Sequence, residues 1–551
     1  MATTTVSIGS NQNIDTETPA STVTSSDPNY TITFSSNPNS TVAVGDIIEV
    51  LADVGSDNTP SSSSGSDPYT VSFSNSVNSA VGIGARFYIT DPTSGDTYRY
   101  DVTNVSGSNY TLDYISGASS AAAPTDIVDE YGDQVDGRFY AVNTYLLTEI
   151  DGNNYKFKYC TGVSSASPFG LQTNGSQSTA TFKRAFSTIT LFEAMVDDAS
   201  PSYWGGSDDV VGECHADSTF TDNDVNFNSK QSLSSVKLTV NSDDRHNGTA
   251  ESGVLIKPTS RGTHGHGIIK VQIDDMTIEW LDISLASVPN RSGGTYSQNR
   301  GIFITGNNID DLIIRNNLIH DCVGDKGNQG PVGISSNTNG GTGNTWSFLN
   351  NIIYNLVEGS DDSTSAINCR KYKGTFYIYN NTIYKITAHG GSKDAIGIRV
   401  GYHSGMTYLY IKNNIVAGLS ASDEQFAYDI ESAVSNKSVG NNLSDDTSDA
   451  SNNALTMGRG YTSGDNPNAL VGKTLSEIDF NEDDVSASVD LHIGESSVCL
   501  EAGEDLGTTN GVNIDIDGLD RDATGVTWDI GADQKSTVDV EAGAAFFLFI
   551  N

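Results

Sequence analysis

Apolar and polar positions alternate in short runs along this chain, and the runs keep returning. In LYIKNNIVAG (Leu409 to Gly418) and FYIYNNTIYK (Phe376 to Lys385), β-branched and aromatic residues alternate with polar ones. That is the period of a strand, and the density of Gly and Asn opposes helix. Each run holds an asparagine doublet: Asn316-Asn317, Asn350-Asn351, Asn380-Asn381, Asn413-Asn414 and Asn441-Asn442, at intervals of 34, 30, 33 and 28 residues. A second short strand signal precedes each doublet by 11 to 16 residues, as in Gly301-Ile302-Phe303-Ile304, Val332-Gly333-Ile334, Ala366-Ile367, Ala395-Ile396-Gly397-Ile398 and Tyr428-Asp429-Ile430. Units this small cannot bury their own apolar faces and must stack.

The pattern predicts an all-β protein. Its main body is a parallel β-helix with at least two strands per coil, and the backbone pairs between coils at a spacing of about 4.8 Å. Asn suits the corner because it tolerates left-handed backbone, and stacked carboxamides can hydrogen-bond up the column. The coils are predicted over residues 185–450. An early one, Met276 to Ile283, places Trp280-Leu281 where later coils place Asn-Asn. Only Phe182 to Ser200 has a helical pattern, with Ile189, Leu191, Phe192 and Met195 on one face, which predicts a short helix plugging the end of the stack.

Residues 1–28, rich in Ser, Thr, Asn and Pro, read as an extended arm. Tyr30 to Val50 and Tyr69 to Ile89 are an internal duplication with eight of 21 positions identical, read as one or two small β-barrels or sandwiches within 29–120. A β-rich connector follows at 121–184. Beyond the coils, 451–535 reads as a closing segment and 536–551 as a tail. In that tail, Ala544 to Ile550 is the most apolar run of the chain and is expected to dock on its own stack or on a neighbouring subunit.

The net charge of −40, from 69 acidic and 29 basic residues, argues against a nucleic-acid partner. No run of 18 apolar residues exists, so no membrane insertion is expected. The start, MATTTVSIGS, has neither the charged nor the apolar region of a secretory signal. Five scattered cysteines give no disulfide framework or zinc pattern, and Cys322 and Cys369 are expected inside the stack.

At the carboxyl end, Ser496 to Gly503, Asp515-Ile516-Asp517-Gly518 with Arg521, and Asp529-Ile530-Gly531-Ala532 resemble the closing segment of right-handed parallel β-helix proteins of the pectate-lyase-like and phage tailspike-like kind. Val498 stands where that pattern has Pro, and Asp533-Gln534 replaces its aromatic-Glu ending. Glu213 to Asn228 and Asp243 to Ile256 resemble the opening coils of phage β-helices. The resemblance implies a fold and leaves the chemistry open.

Loops following the doublets carry the candidate chemistry. Asp361, Asp362 and Asp394, with Lys393 or Arg399, are the candidates for a paired-carboxylate hydrolase or a polysaccharide lyase. A solvated edge of acid and base side chains is the favoured reading of them, ahead of either activity. Asp325, Glu358, His389 and Tyr402 are candidates for glycan contact. Asp515 and Asp517 have the look of a Ca2+ loop but lack its further ligands, so a structural turn competes with a metal role there. His264 and His266 lack a third ligand nearby. The expectation is a structural, interaction-type protein: a virion component such as a tail fibre or tailspike. It would attach to other virion proteins through its amino-terminal modules, form a homo-oligomer (a trimer by preference) and meet host surface polysaccharide. The alternatives are an extracellular polysaccharide lyase or glycoside hydrolase, and a bacterial surface adhesin or filament subunit, with secretion or the cell surface as the location.

Overall fold

The computed structural model describes the chain outside residues 1, 12, 18, 27–28, 35–37, 39, 54–57, 75–76, 78–84, 107, 117–121, 130, 132, 153, 162–179, 199–202, 260–266, 287–298, 307–308, 325–329, 338–343, 359–362, 370–373, 390–392, 402–405, 431–435, 446–467, 486–488 and 536–551. The chain divides into two compact units, one of which is essentially residues 11–185 and the other residues 186–551. The expected docking of the apolar tail lies outside the described residues.

The larger unit is a parallel β-helix. Three parallel sheets climb it: the first from Val225–Phe227 to Gln425–Ile430, the second from Asp209–Cys214, beside the edge strand Thr3–Ile8, to Lys437–Gly440, the third from Leu255–Ile256 to Leu470–Val471. One coil contributes Thr364–Cys369, Thr375–Tyr379 and Thr382–Ala388 to these sheets in turn. The next coil sets Ile398 over Ile367, Ile411 over Ile378 and Val416 over Ile383. These inward files are fully buried and form the core. Each coil therefore has three strands. The flanks of each doublet are two of these strands, meeting at a corner.

The doublets are that corner. The first Asn of each takes left-handed backbone, with φ of 53° at Asn316 and Asn350, 55° at Asn380, 56° at Asn413 and 50° at Asn441. Trp280 does the same at φ 65°, so the early coil follows the expected equivalence. The second Asn points inward and builds a ladder. Nδ2 of Asn317, Asn351, Asn381 and Asn414 donates to Oδ1 of the next, at 3.0, 3.0, 2.9 and 2.9 Å, ending on Asn442. A second left-handed file lies five residues further on, at Asp321, Asn355, Lys385 and Gly418, and bends the third sheet's strands.

Ile189–Asp197 is the expected helix, capped by Thr188, whose hydroxyl accepts from Leu191 N–H. Its buried face differs from the one read in the sequence. Ile189, Phe192, Glu193 and Val196 are buried at helical spacing, while Leu191 is 51% exposed. Phe192 packs 6.1 Å from Phe227 in the first strand of the first sheet, so the helix covers the opening coil.

The closing segment does not continue the stack beyond Leu470–Val471. It forms a short helix (Leu475–Ile478) and a hairpin (Phe480–Glu482 with Asp490–Ile493), then runs irregularly back over the outside of the third sheet. Ile478, Leu491, Ile493, Cys499, Ile516 and Ile530 cover Leu318, Ile352, Ile415 and Leu443 there. The first Asn of each doublet holds this strap. Nδ2 of Asn441 donates to Ala502 O at 2.9 Å, Asn413 to Glu504 O at 2.8 Å, Asn350 to Ile514 O at 2.7 Å and Asn316 to Asp515 O at 2.5 Å. Cys322 and Cys369 are buried in the stack as expected, and all five cysteines are free.

The smaller unit is an antiparallel sheet carrying two apolar clusters. The two duplicated stretches serve one cluster each: Phe34, Val42 and Ile48 lie in the first, and Tyr69, Val71, Phe87 and Ile89 in the second. The long strand Gly137–Asp151 pairs with Ile47–Asp53 and with Arg86–Thr90, putting Tyr145 and Leu147 in one cluster and Phe139 in the other. Asp15–Glu17 and Pro19–Ser26, within the stretch read as an arm, are strands of this sheet.

Candidate functional site

Outward positions of the second sheet change character along the solenoid. In early coils they carry an ion-pair ladder, in which Lys237 and Arg315 reach Glu279 at 3.0 and 2.6 Å. Further up, alternation places Phe376, Ile378, Leu409 and Ile411 inward. Tyr377, Tyr379, Tyr408 and Tyr410 therefore face outward. Register stacks Tyr410 on Tyr377, with ring centroids 4.9 Å apart and planes 17° off parallel. Tyr408 lies 6.3 Å from Tyr410 at 25° and is 47% exposed. The strap borders this aromatic floor: Glu504 meets Lys412 Nζ at 2.5 Å, and Asn510 Nδ2 donates to Ser347 Oγ at 2.9 Å. Tyr377 and Tyr410 cover each other's faces, and Tyr377 and Tyr379 pack against the cluster of Leu349, Val512 and Trp528, so Tyr408 is the ring most open to solvent, with directional carboxylate, ammonium and amide groups beside the stack.

The expected catalytic group is only partly described. Asp361 and Asp362 lie outside the described residues. Arg399 is held by Asp429 at 2.5 Å, on the neighbouring strand of the first sheet, and by Asp394 at 3.5 Å, just ahead of its own strand. A guanidinium engaged by two carboxylates acts here as a cross-link. Lys393 is half-buried, and its carbonyl accepts from Asp423 N–H. Of the glycan candidates, Asp325 and Tyr402 lie outside the described residues, as do His264 and His266. Glu358 is 1% exposed, so it does not present its carboxylate to solvent, while its carbonyl accepts from the backbone of the exposed His389.

Asp515 is fully buried, and its carboxylate is spent on the N–H groups of Asp517, Leu519 and Gln534. It shapes the turn. Burial pushes its carboxyl up to about 7. The rest of the resemblance motif is likewise structural. Asp529 accepts from Glu501 and Lys535 N–H, Gly531 N–H donates to Asn413 O, and Arg521 donates to the carbonyls of Asp529 and Gly531. The serine that does this work is Ser497, next to the matched Ser496, with its hydroxyl donating to Ile478 O and accepting from Cys499 N–H. Asp517, by contrast, faces His492 Nε2 at 3.1 Å.

A buried group that the sequence did not announce is His320, set between Asp282 at 2.7 Å and Asp321 at 2.9 Å, with Tyr354 stacked on its ring at 5.0 Å. It is 2% exposed.

No family model matches this chain, and no curated protein matches it. A solved structure titled "Glycoside hydrolase" is similar over 85% of this chain and 82% of its own, at 9% identity and a TM-score of 0.19, a likeness that carries no argument. No helix among the described residues is long and apolar enough to cross a membrane.

Proposed function

We propose that this chain is the glycan-binding shaft of a surface appendage, and that the appendage is a virion tail fibre or tailspike. The observation that carries glycan binding is the stacked tyrosine floor of Tyr377, Tyr408 and Tyr410 on the outer face of the second sheet. A pyranose presents axial C–H groups to the negative face of an aromatic ring, while its hydroxyls need polar groups at the rim. Tyr408, 47% exposed at the end of the stack, offers such a ring, with polar groups beside it on a scaffold that needs no ordering to bind. The virion assignment rests on the sequence resemblance and on the duplicated amino-terminal sheet as an attachment module. Assembly as a homotrimer belongs to the same proposal, and light scattering giving the mass of a single 58.3 kDa chain would remove it.

The test is binding of the full chain to a panel of acidic and neutral bacterial polysaccharides, with Tyr408→Ala and Tyr410→Ala beside it. Each substitution is expected to weaken binding roughly tenfold, the equivalent of about 1.4 kcal/mol. Binding that both variants retain in full refutes the proposed surface. Release of oligosaccharides from any polysaccharide during the assay would favour the hydrolase or lyase reading instead.

A further inference from the structure

The strap gathers one more set of side chains, distinct from the tyrosine floor. His492 comes from its hairpin, Asp517 from the turn shaped by Asp515, and Asp533 from the stretch after Ala532. A ring nitrogen of His492 and one carboxylate oxygen from each aspartate lie within 4.8 Å of one another.

Four features set this group apart from a solvated acidic patch. The Nδ1 side of His492 is hydrogen-bonded to Asp490, which also accepts from His492 N–H at 3.1 Å and from Asn481 Nδ2 at 3.2 Å. A carboxylate behind Nδ1 fixes the tautomer that leaves Nε2 free to ligate. Nε2 lies 3.1 Å from Asp517 Oδ1, close to the ~3.4 Å between neighbouring ligands of a tetrahedral ion at about 2.1 Å. Asp533 is 5% exposed and receives Ile493 N–H at 2.9 Å on one oxygen, leaving the other without a hydrogen-bond donor among the described residues. Finally, three carboxylates (Asp490, Asp517, Asp533) surround a single imidazole. The nearby Arg521 gives its hydrogen bonds to the Asp529 and Gly531 carbonyls and Gln534 Oε1. Asp533 is the buried one of the three, and a buried carboxylate without a full set of donors calls for a cation.

We propose that His492, Asp517 and Asp533 bind one divalent first-row transition cation, such as Mn2+ or Zn2+, which pins three stretches of the strap together. One imidazole and two carboxylates suit such an ion, with water completing its shell through the exposed side at Asp517. Ca2+ fits poorly because it asks for roughly six to eight oxygen ligands. Gly248 lies over the site: a Cβ there would collide with His492 Nε2. On binding, the metal takes the place of the Nε2 proton, and that proton is released to solvent.

The experiment is calorimetric titration of the chelator-treated full chain with MnCl2 and ZnCl2, and with CaCl2 as a comparator. Tryptophan fluorescence in each sample reports folding. One equivalent of Mn2+ or Zn2+ is expected, with affinity falling at least tenfold in His492→Gln and in Asp517→Asn. The wild-type melting temperature is expected to rise with the metal, and that of the variants to stay put. Asp517 is exposed, so its variant folds even if the histidine variant does not. Absence of binding by the folded wild type, a preference for Ca2+, or equal affinity in a folded variant overturns the proposal.

Discussion

Replacing Asn381 by Ala and its neighbour Asn380 by Gly separates the two halves of a doublet. Asn381 is fully buried. Its Oδ1 accepts from the N–H of Asn351 at 3.1 Å and from that residue's Nδ2 at 3.0 Å. Its own Nδ2 donates to Phe348 O, Tyr379 O and Asn414 Oδ1 at 3.0, 3.1 and 2.9 Å. Truncation leaves the Asn351 N–H and the Phe348 carbonyl short of a partner in the interior. An unsatisfied buried polar group costs about 1–3 kcal/mol, so Asn381→Ala should cost about 3–5 kcal/mol. Asn380 makes a single long contact, Nδ2 to Val512 O at 3.3 Å, and its Oδ1 has no partner. Its φ of 55° is one that Gly adopts freely. Asn380→Gly should therefore cost less than about 1 kcal/mol. Urea denaturation followed by tryptophan fluorescence measures both. Trp204, Trp280, Trp346 and Trp528 all lie in the solenoid unit, so the signal reports that unit alone. Equal costs for the two variants, or an Asn381→Ala chain as stable as wild type, would refute the division of labour.

Two further expectations follow from buried groups. Burial opposes charge on His320, but its hydrogen bonds to Asp282 and Asp321 outweigh that and raise it from 6.5 to about 9. A folded-state value above the unfolded one gives stability that is complete below pH 6.5 and lost as pH rises through 9, up to about 3 kcal/mol. Urea midpoints from pH 6 to 10 should fall more steeply in wild type than in His320→Gln, and parallel curves would exclude His320 as the cause. Phe192→Ala empties a site walled by Phe186, Trp204 and Phe227 and should cost about 3–5 kcal/mol in a thermal melt. A loss below about 1 kcal/mol would mean that the helix does not cap the opening coil.

The asparagine corners were legible because a polar pair recurring inside apolar flanks contradicts simple alternation, and only a turn with internal partners resolves it. The three-strand coil was not, because alternation runs unbroken through the corner and hides the bend at Asn380. Nor was the second left-handed file, where Asp321, Asn355, Lys385 and Gly418 share a conformation without sharing a chemistry. The tyrosine floor was available in principle: with Phe376 and Ile378 inward, Tyr377 and Tyr379 must face out. Stacking of Tyr410 on Tyr377 needed the register between coils. The closing motif was visible as a string of residues, but its partners lie up to 199 positions away, as in Asn316 with Asp515, and no local pattern encodes such a distance. For the same reason His492 drew no notice until Asp517 and Asp533 stood beside it.

The most direct measurement is an experimental density map of the full chain, read at Asn317, Asn351, Asn381, Asn414 and Asn442. The expected result is five carboxamides in one file, about 4.8 Å apart, each Nδ2 on the next Oδ1, with the outer asparagines capping carbonyls of residues 502–515. Carboxamides out of line, or a closing segment stacked on the last coil instead of lying along the flank, would contradict it.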